Sequence, residues 1–181
     1  MKAVVLFASC MLALSASASA QLLIPISQDR TVTGSATADD FVTFLADSDS
    51  DAAVDCTPFV SNVAASITDD ACFAQGGAIQ NSTITGNSVV ATGSQFANSE
   101  VYESPWLAES LGSSEMVFVF EVTSTVKFDV TGMVSANDFG VSGYSVRDSN
   151  GDYVSGNAAI GNESWVIDDE GLLTPGQYTL R

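Results

Sequence analysis

Four aspartates in one short polar segment have the spacing best suited to chemistry. They are Asp47, Asp49, Asp51 and Asp55. Their stretch shows no apolar periodicity, which predicts an exposed loop. Alternate carboxylates suit Ca²⁺, which takes about six to eight oxygen ligands. An EF-hand loop would place Gly sixth and Glu twelfth, where this chain has Ala52 and Pro58. Calcium is therefore the candidate cofactor, and a solvated acidic loop is the alternative.

No set of residues in the chain predicts catalysis. There is no His, which excludes Ser-His-Asp and Cys-His mechanisms and the usual zinc sites. Phosphate-binding loops and dinucleotide fingerprints are also missing from the sequence. Glycoside hydrolysis needs two carboxylates, and the candidate acid is Glu121, next to the apolar run Met116 to Phe120. An outward-facing strand residue is the alternative interpretation of Glu121. We therefore predict that the protein is not an enzyme.

Aromatic residues suggest a second kind of site. Tyr102 and Trp106 are the candidate ligand-binding residues, and they could stack on a sugar ring as aromatics do in glycan-binding sandwich modules. Trp165, Tyr144 and Tyr153 could extend such a platform. Burial in the core is the alternative use of each ring, most of all for Trp165, which neighbours Val166 and Ile167.

The first twenty residues predict an export leader. Lys2 precedes an apolar run, and residues 18–20 are Ala-Ser-Ala, so cleavage is expected before Gln21. The apolar run is shorter than the roughly 20 residues that span a bilayer. Lipid attachment at Cys10 is the alternative use of this segment. Residues 21–181 then form a single exported domain, secreted or at the cell surface, without a membrane span.

Two cysteines remain after the leader is removed. Cys56 and Cys72 form an even pair in an oxidising compartment, which predicts a disulfide bond. Such a bond would stabilise the fold by about 3 kcal/mol in the chain-entropy model. Two free thiols are the alternative.

The charge of the chain limits its partners. It has 22 acidic and 5 basic residues, and all of the acids lie after residue 20. Such a field repels nucleic acid and anionic lipid and favours cations and basic surfaces. Surface or extracellular matrix components are therefore the expected partners.

The elements that must position any site are strands. The segment Met116 to Val134 has the densest apolar pattern, and its two halves flank residues 123–125. It predicts a hairpin at the centre of the fold. A second hairpin is predicted around Asn150-Gly151, whereas Tyr102 to Leu111 is the one stretch that suggests a helical turn. About ten short strands with regular turn signals predict an all-β fold, a two-layer antiparallel β-sandwich that is jelly-roll-like.

The sequence near the carboxyl end resembles a recurring phrase. Residues 171–180 read GLLTPGQYTL, and residues 80–97 and 118–122 follow the same style. The chain resembles secreted bacterial β-sandwich proteins that carry a Pro-Glu-Pro sorting tail for exosortase-type export. This resemblance implies a sandwich fold and an address at the cell surface or in the matrix, without an activity. The tail itself is not in the sequence, so we expect a fragment of a longer product. The predicted function is a non-catalytic structural, surface or adhesion-type component, with a calcium- or glycan-binding module as the alternative.

Overall fold

The computed structural model describes residues 4–15, 23–55, 57–85, 88–136 and 140–181. Within these ranges the chain forms twelve strands and no helix. The strands are β1 (Val4–Ser15), β2 (Leu23–Asp39), β3 (Phe44–Ala53), β4 (Phe59–Thr68), β5 (Cys72–Ile84), β6 (Ser88–Val101), β7 (Leu107–Val122), β8 (Val126–Ser135), β9 (Val141–Asp148), β10 (Tyr153–Ile160), β11 (Ser164–Leu173) and β12 (Gly176–Leu180).

The strands build two packed antiparallel sheets. Sheet A has the order β11-β8-β1-β6-β5-β4, and sheet B has the order β10-β9-β12-β7-β2-β3. Buried and exposed residues alternate along the whole of β4, as expected for a strand with one face on a core. The predicted all-β, two-layer antiparallel sandwich is confirmed, while its jelly-roll connectivity stays a prediction.

The densest apolar segment forms two strands that do not pair with each other. β7 lies in sheet B between β12 and β2, whereas β8 lies in sheet A between β1 and β11. The connection at residues 123–125 therefore crosses between sheets, and the predicted hairpin is wrong. Phe120 on β7 and Phe128 on β8 are buried in the same apolar cluster. Alternation shows which face of a strand is buried, but it does not distinguish a partner within the sheet from one across the core.

Two other segments differ from the prediction, and one agrees. The aspartate segment is not a loop, because residues 44–53 form β3 at the edge of sheet B. Both faces of β3 are largely exposed, so it lacks the alternation that marks a strand. The helical turn predicted from Tyr102 to Leu111 is absent, since β7 begins at Leu107. The hairpin at Asn150-Gly151 is confirmed by the antiparallel pairing of β9 with β10.

The interior contains three apolar clusters. The largest contains residues from each of the strands β5 to β12 and includes a stack of Phe118, Phe120 and Tyr178, with ring centroids 5.5 and 5.8 Å apart. A second, alanine-rich cluster lies around Ala36 and Ala74, and a third lies around Val32 and Ala78. Burial of these side chains is the main term that stabilises the sandwich.

Glycines lie between the clusters, where the two sheets come closest. Gly34 separates Val32 from Ala36 on β2, and a methyl group at Gly34 would lie 2.6 Å from the Gly76 carbonyl oxygen. A methyl group at Gly112 would lie 2.6 Å from the Phe96 carbonyl oxygen and would also collide with that of Gly77. The backbones of the two sheets therefore touch here, which only residues without a Cβ allow. Gly76 and Gly77 make this contact from within β5.

The predicted leader overlaps one strand of sheet A. The backbone of Val4–Ser15 pairs with β6 on one side and with β8 on the other. Residues 1–3 and 16–22, which include the expected cleavage point, lie outside the described ranges. Cleavage after residue 20 therefore stays a prediction. No helix in the described part of the chain is long and apolar enough to cross a membrane.

Candidate functional site: a cleft between β7 and β9

A cleft opens in sheet B where β12 stops. β12 lies between β7 and β9, and it pairs with β7 only from Val122 to Phe118. Arg181 extends the pairing with β9 by one residue, because it exchanges two backbone hydrogen bonds of 2.8 and 2.9 Å with Ser145. Next to this step, residues 113–116 of β7 and residues 141–144 of β9 line a cavity.

The space left there is a cavity of about 430 Å³. Its floor is formed by β5 and β6 of sheet A, and its sides are the edges of β7 and β9. The lining residues are consecutive on each strand, at 113–116 on β7 and at 141–144 on β9. The cavity therefore contacts the edges of these two strands as well as their inner faces. Such a shape fits the width of one extended chain.

One side chain bridges the two edges. Gln95 reaches from β6, and its Oε1 accepts a hydrogen bond of 3.1 Å from the Ser114 N–H on β7. Its Nε2 donates to the Val141 carbonyl oxygen on β9 over 3.5 Å. The amide of Gln95 therefore occupies part of the cleft and pairs with backbone groups that a neighbouring strand would otherwise pair with.

Two further polar groups in the cleft have no partner. The Gln80 side chain is 2% exposed and the Ser142 side chain is 7% exposed, and both line the cavity. Gln80 Oε1 and Ser142 Oγ lack hydrogen bonds within the described part of the chain. Leaving a buried polar group unpaired costs about 1–3 kcal/mol. These atoms therefore add hydrogen-bonding groups to the lining of the cleft.

The mouth of the cleft has one ion pair. Arg181 Nε lies 2.7 Å from Glu115 Oε1, and both side chains are largely exposed. These are the only charged residues among the described lining residues. An exposed pair of this kind contributes at most about 1 kcal/mol, so it can separate easily. The interior of the cleft is thus uncharged and combines apolar with polar side chains, and its rim is charged.

The four aspartates predicted as calcium ligands do not converge. Asp47, Asp49 and Asp51 alternate along the extended strand β3, where residues two apart are separated by roughly 7 Å. No group of three or more His, Cys, Asp or Glu side chains in the described ranges could hold a metal ion. The proposed calcium site is therefore not formed in this arrangement.

Two of these aspartates instead contact the edge of the opposite sheet. The Asp47 carboxylate accepts a hydrogen bond of 2.8 Å from the Ser66 N–H, and the Asp49 carboxylate accepts one of 3.4 Å from the Ala64 N–H. β4 is the edge strand of sheet A, so these N–H groups would otherwise be open to another chain. The acidic segment covers an edge.

Asp55, the fourth aspartate, pairs with the buried cation of Arg30. Arg30 is fully buried, and its Nη2 lies 3.6 Å from the Asp55 carboxylate. The Thr57 hydroxyl and backbone N–H both hydrogen-bond to that carboxylate, and together with the Arg30 charge they lower the pKa of Asp55. This arrangement is structural, since the guanidinium also contacts the Phe59 ring.

The predicted disulfide is not formed in the described structure. Cys72 is a free, fully buried thiol, and Cys56 lies outside the described residues. The described residues therefore contain one member of the predicted pair.

Tyr102, Trp106 and Glu121 lie apart from the cleft, whereas Tyr144 is one of its lining residues. Tyr102 is exposed, whereas Trp106 is half-buried and packs against the alanine-rich cluster. Glu121 is exposed on β7, opposite Gln177 of β12. None of these three residues lines the cavity.

Sequence reasoning missed the residues that form the cleft. Gln80, Gln95, Ser114 and Ser142 lie in stretches rich in Ser, Thr and Asn that match no motif. A polar residue on the inner side of an alternating strand is the signal that would have found them, as with Gln80 between the buried Ala78 and Ser82.

Comparison with known proteins adds no homologue. The chain matches no protein-family model, no curated protein and no solved structure. The resemblance to exosortase-sorted β-sandwich proteins stays a prediction for this reason. Inference about function therefore depends on the cleft, on the charge of the chain and on its sequence pattern.

Proposed function

We propose that the protein is a non-catalytic, exported β-sandwich that acts as an adhesion-type component of a cell surface or extracellular matrix. The observation that supports this role best is the cleft between β7 and β9. It offers backbone edges, an amide and hydroxyl groups, which bind a partner through hydrogen bonds. The rim pair Arg181–Glu115 is the one charged feature of its lining. These groups suit recognition better than bond cleavage.

The sequence supports an address outside the cell. The leader pattern of residues 1–20 and the resemblance of residues 171–180 to surface-sorted sandwich proteins both favour export. The formal net charge of −17 disfavours nucleic acid and favours basic partners. Matrix or surface components with basic segments are therefore the proposed partners.

Export with cleavage would remove β1 from the sandwich. β6 and β8 would then border an open position in sheet A, because β1 pairs with both of them. The described cleft residues lie on β5, β6, β7, β9 and β12 or directly after β12, so cleavage would leave this lining in the chain.

Fractionation of the producing cells tests the proposal. We expect antibodies against the protein to label intact cells and to detect it in the matrix fraction, and we expect deletion of its gene to reduce attachment. A protein confined to the cytoplasm would contradict the proposal. Hydrolysis of a glycan panel by the purified protein, abolished by Glu121→Gln, would replace it with an enzymatic function.

A further inference from the structure

We propose that the side of the sandwich between β10 and β11 binds an oligosaccharide of neutral or amino sugars, which stacks on the indole ring of Trp165. The groups that would hold its hydroxyls are Glu163, Asp169 and Ser155, and together with Trp165 they form what we call the side strip. The inference rests on the proposed adhesion role only for the source of the glycan, which would be a surface or matrix component. It deepens that role by naming the chemistry of the partner.

The side strip lies where the edges of the two sheets meet. β10 is an edge strand of sheet B and β11 is an edge strand of sheet A. The Ser155 hydroxyl on β10 donates a hydrogen bond of 3.0 Å to the Asp169 carboxylate on β11, so the two edges lie side by side. Ile167 of β11 and Ala159 of β10 are buried in the same apolar cluster. The space between the edges is therefore filled by apolar side chains, over which a ligand would lie.

The length of the side strip suits a chain of sugars. Trp165 and Asp169 share one face of β11, because residues at even separations in a strand point to the same side. They are roughly 13 Å apart along the strand. A ligand that contacts both of them is longer than a single sugar ring, which favours an oligosaccharide.

Trp165 has the exposure and the support that a stacking platform needs. It is 48% exposed, although its apolar neighbours Val166 and Ile167 favoured burial in the core. Its indole N–H donates to Glu163 Oε2 over 3.4 Å, and the same oxygen accepts the Ile160 N–H over 3.1 Å. Glu163 thus ties the ring to the turn between β10 and β11. A ring that is already held in place loses little conformational entropy when a ligand stacks on it.

Each end of the side strip has a carboxylate with one oxygen engaged. Both donors to Glu163 use Oε2. At the other end, the hydroxyls of Tyr144 and Ser155 both donate to Asp169 Oδ2. An ionised carboxylate accepts hydrogen bonds through both of its oxygens. Glu163 Oε1 and Asp169 Oδ1 can therefore accept hydrogen bonds from the hydroxyl or amino groups of a sugar.

The charge of the side strip selects the class of sugar. Its ionisable groups are the two carboxylates, and none of the ion pairs in the described ranges involves Glu163 or Asp169. Carboxylates without a cationic partner repel uronic acids and sulfated sugars and attract amino groups. The formal net charge of −17 acts in the same direction. Neutral and amino sugars are therefore the expected ligands.

Fluorescence titration with oligosaccharides tests this inference. The chain has two Trp residues, so Trp106→Phe leaves Trp165 as the only indole that emits. The probes have about six glucose, galactose, mannose or glucosamine units, enough to cover the side strip, and an oligogalacturonate of equal length is the acidic control. We expect at least one of these neutral or amino probes to change the emission of Trp165. The acidic control should leave it unchanged.

Matched variants make the test specific. Trp165→Ala should weaken binding at least about tenfold in calorimetry, whereas Trp106→Phe should bind as the wild type does. Asp169→Ala should weaken binding severalfold. Its neighbour Asp168 is exposed and lies on the opposite face of β11, so Asp168→Ala removes the same charge and should leave the affinity unchanged. Trp165→Phe keeps an aromatic ring and should retain part of the affinity, so the result does not depend on the folding of Trp165→Ala.

Other outcomes would overturn the inference. Equal losses of affinity in Asp168→Ala and Asp169→Ala would show that net charge alone attracts the glucosamine probe. Preferential binding of the oligogalacturonate would refute the class of sugar. A surface-located protein whose Trp165 emission responds to none of the probes would refute the side strip and leave the adhesion role standing. A cytoplasmic protein that binds a probe through Trp165 would refute the adhesion role alone.

Discussion

Arg30 on β2 donates a hydrogen bond of 3.2 Å to the hydroxyl of Ser82 on β5, so that one side chain joins the two sheets. The guanidinium also donates to the Asp55 carbonyl oxygen over 2.5 Å and lies 5.1 Å from the centre of the Phe59 ring. A buried cation persists only when such partners replace its hydration. The segment around Asp55 therefore stabilises the core by pairing with the buried Arg30 side chain.

Asp55 should make the stability of the protein depend on acid pH. The pKa of Asp55 is lowered first by the Thr57 hydroxyl, then by the Thr57 N–H and Arg30. A carboxylate with a lowered folded pKa stabilises the protein above its unfolded pKa of about 3.9, and this contribution is lost as the pH falls through the folded value. Thermal melts from pH 7 to pH 2 should therefore show Asp55→Asn losing stability at neutral pH and converging on the wild type in acid.

A control separates the causes of that pH dependence. Thr57→Val removes the largest of these causes. The loss of stability on Asp55→Asn should therefore be smaller in a protein that already carries Thr57→Val than in the wild type. A difference in melting temperature that stays constant over the whole pH range would rule out titration of Asp55.

Gly112 should tolerate no side chain. Gly112→Ala would place its methyl group against the Gly77 and Phe96 carbonyl oxygens, which belong to the opposite sheet. We expect a loss of about 3 kcal/mol in the free energy of unfolding, as for overpacked cores. Gly93→Ala is the matched control, because its nearest atom is the Ser114 hydroxyl, which can rotate away. Equal losses in urea melts of the two variants would contradict the close approach of the backbones.

The aspartates of β3 should suppress association. Asp47→Ala with Asp49→Ala would uncover the Ser66 and Ala64 N–H groups at the edge of sheet A. We expect light scattering to detect dimers or larger species of this double variant. Asp51→Ala should stay monomeric, because the Asp51 carboxylate bonds to the Ala52 N–H on its own strand. Association of Asp51→Ala to the same extent would show that net charge alone matters.

Cys72 should react as a protected free thiol. Burial, with a smaller effect of the Asp69 charge, raises the pKa of Cys72, so little thiolate forms near neutral pH. Iodoacetamide without reductant should label the Cys72 peptide only after unfolding, as measured by mass spectrometry. A Cys72 that stays unlabelled until reductant is added would establish the disulfide with Cys56 and would contradict the described arrangement.

The sequence predicted the positions of the strands better than it predicted which strands pair with each other. Alternation found the buried residues of β7 and β8, because it reports which side of a strand faces a core, and the Asn150-Gly151 pair found the β9–β10 turn. It could not assign β7 and β8 to different sheets, since sheet membership depends on pairing between distant segments. β3 escaped detection because an edge strand exposed on both faces has no apolar period.

The candidate site was harder to predict for a related reason. The aspartates of β3 were noticed because of their charge, yet they cover the edge of sheet A. The cleft is formed instead by common polar residues on four strands, next to the end of β12. Gln95 and Ser114 are separated by 19 positions, and their residue types do not predict the hydrogen bond between them.

The glycine contact between the sheets also fixes their spacing. A side chain at Gly34 or Gly112 would collide with backbone atoms of the opposite sheet. Because backbones already in contact cannot move closer, the distance between the two sheets is set at this point by the chain itself and not by the size of any side chain.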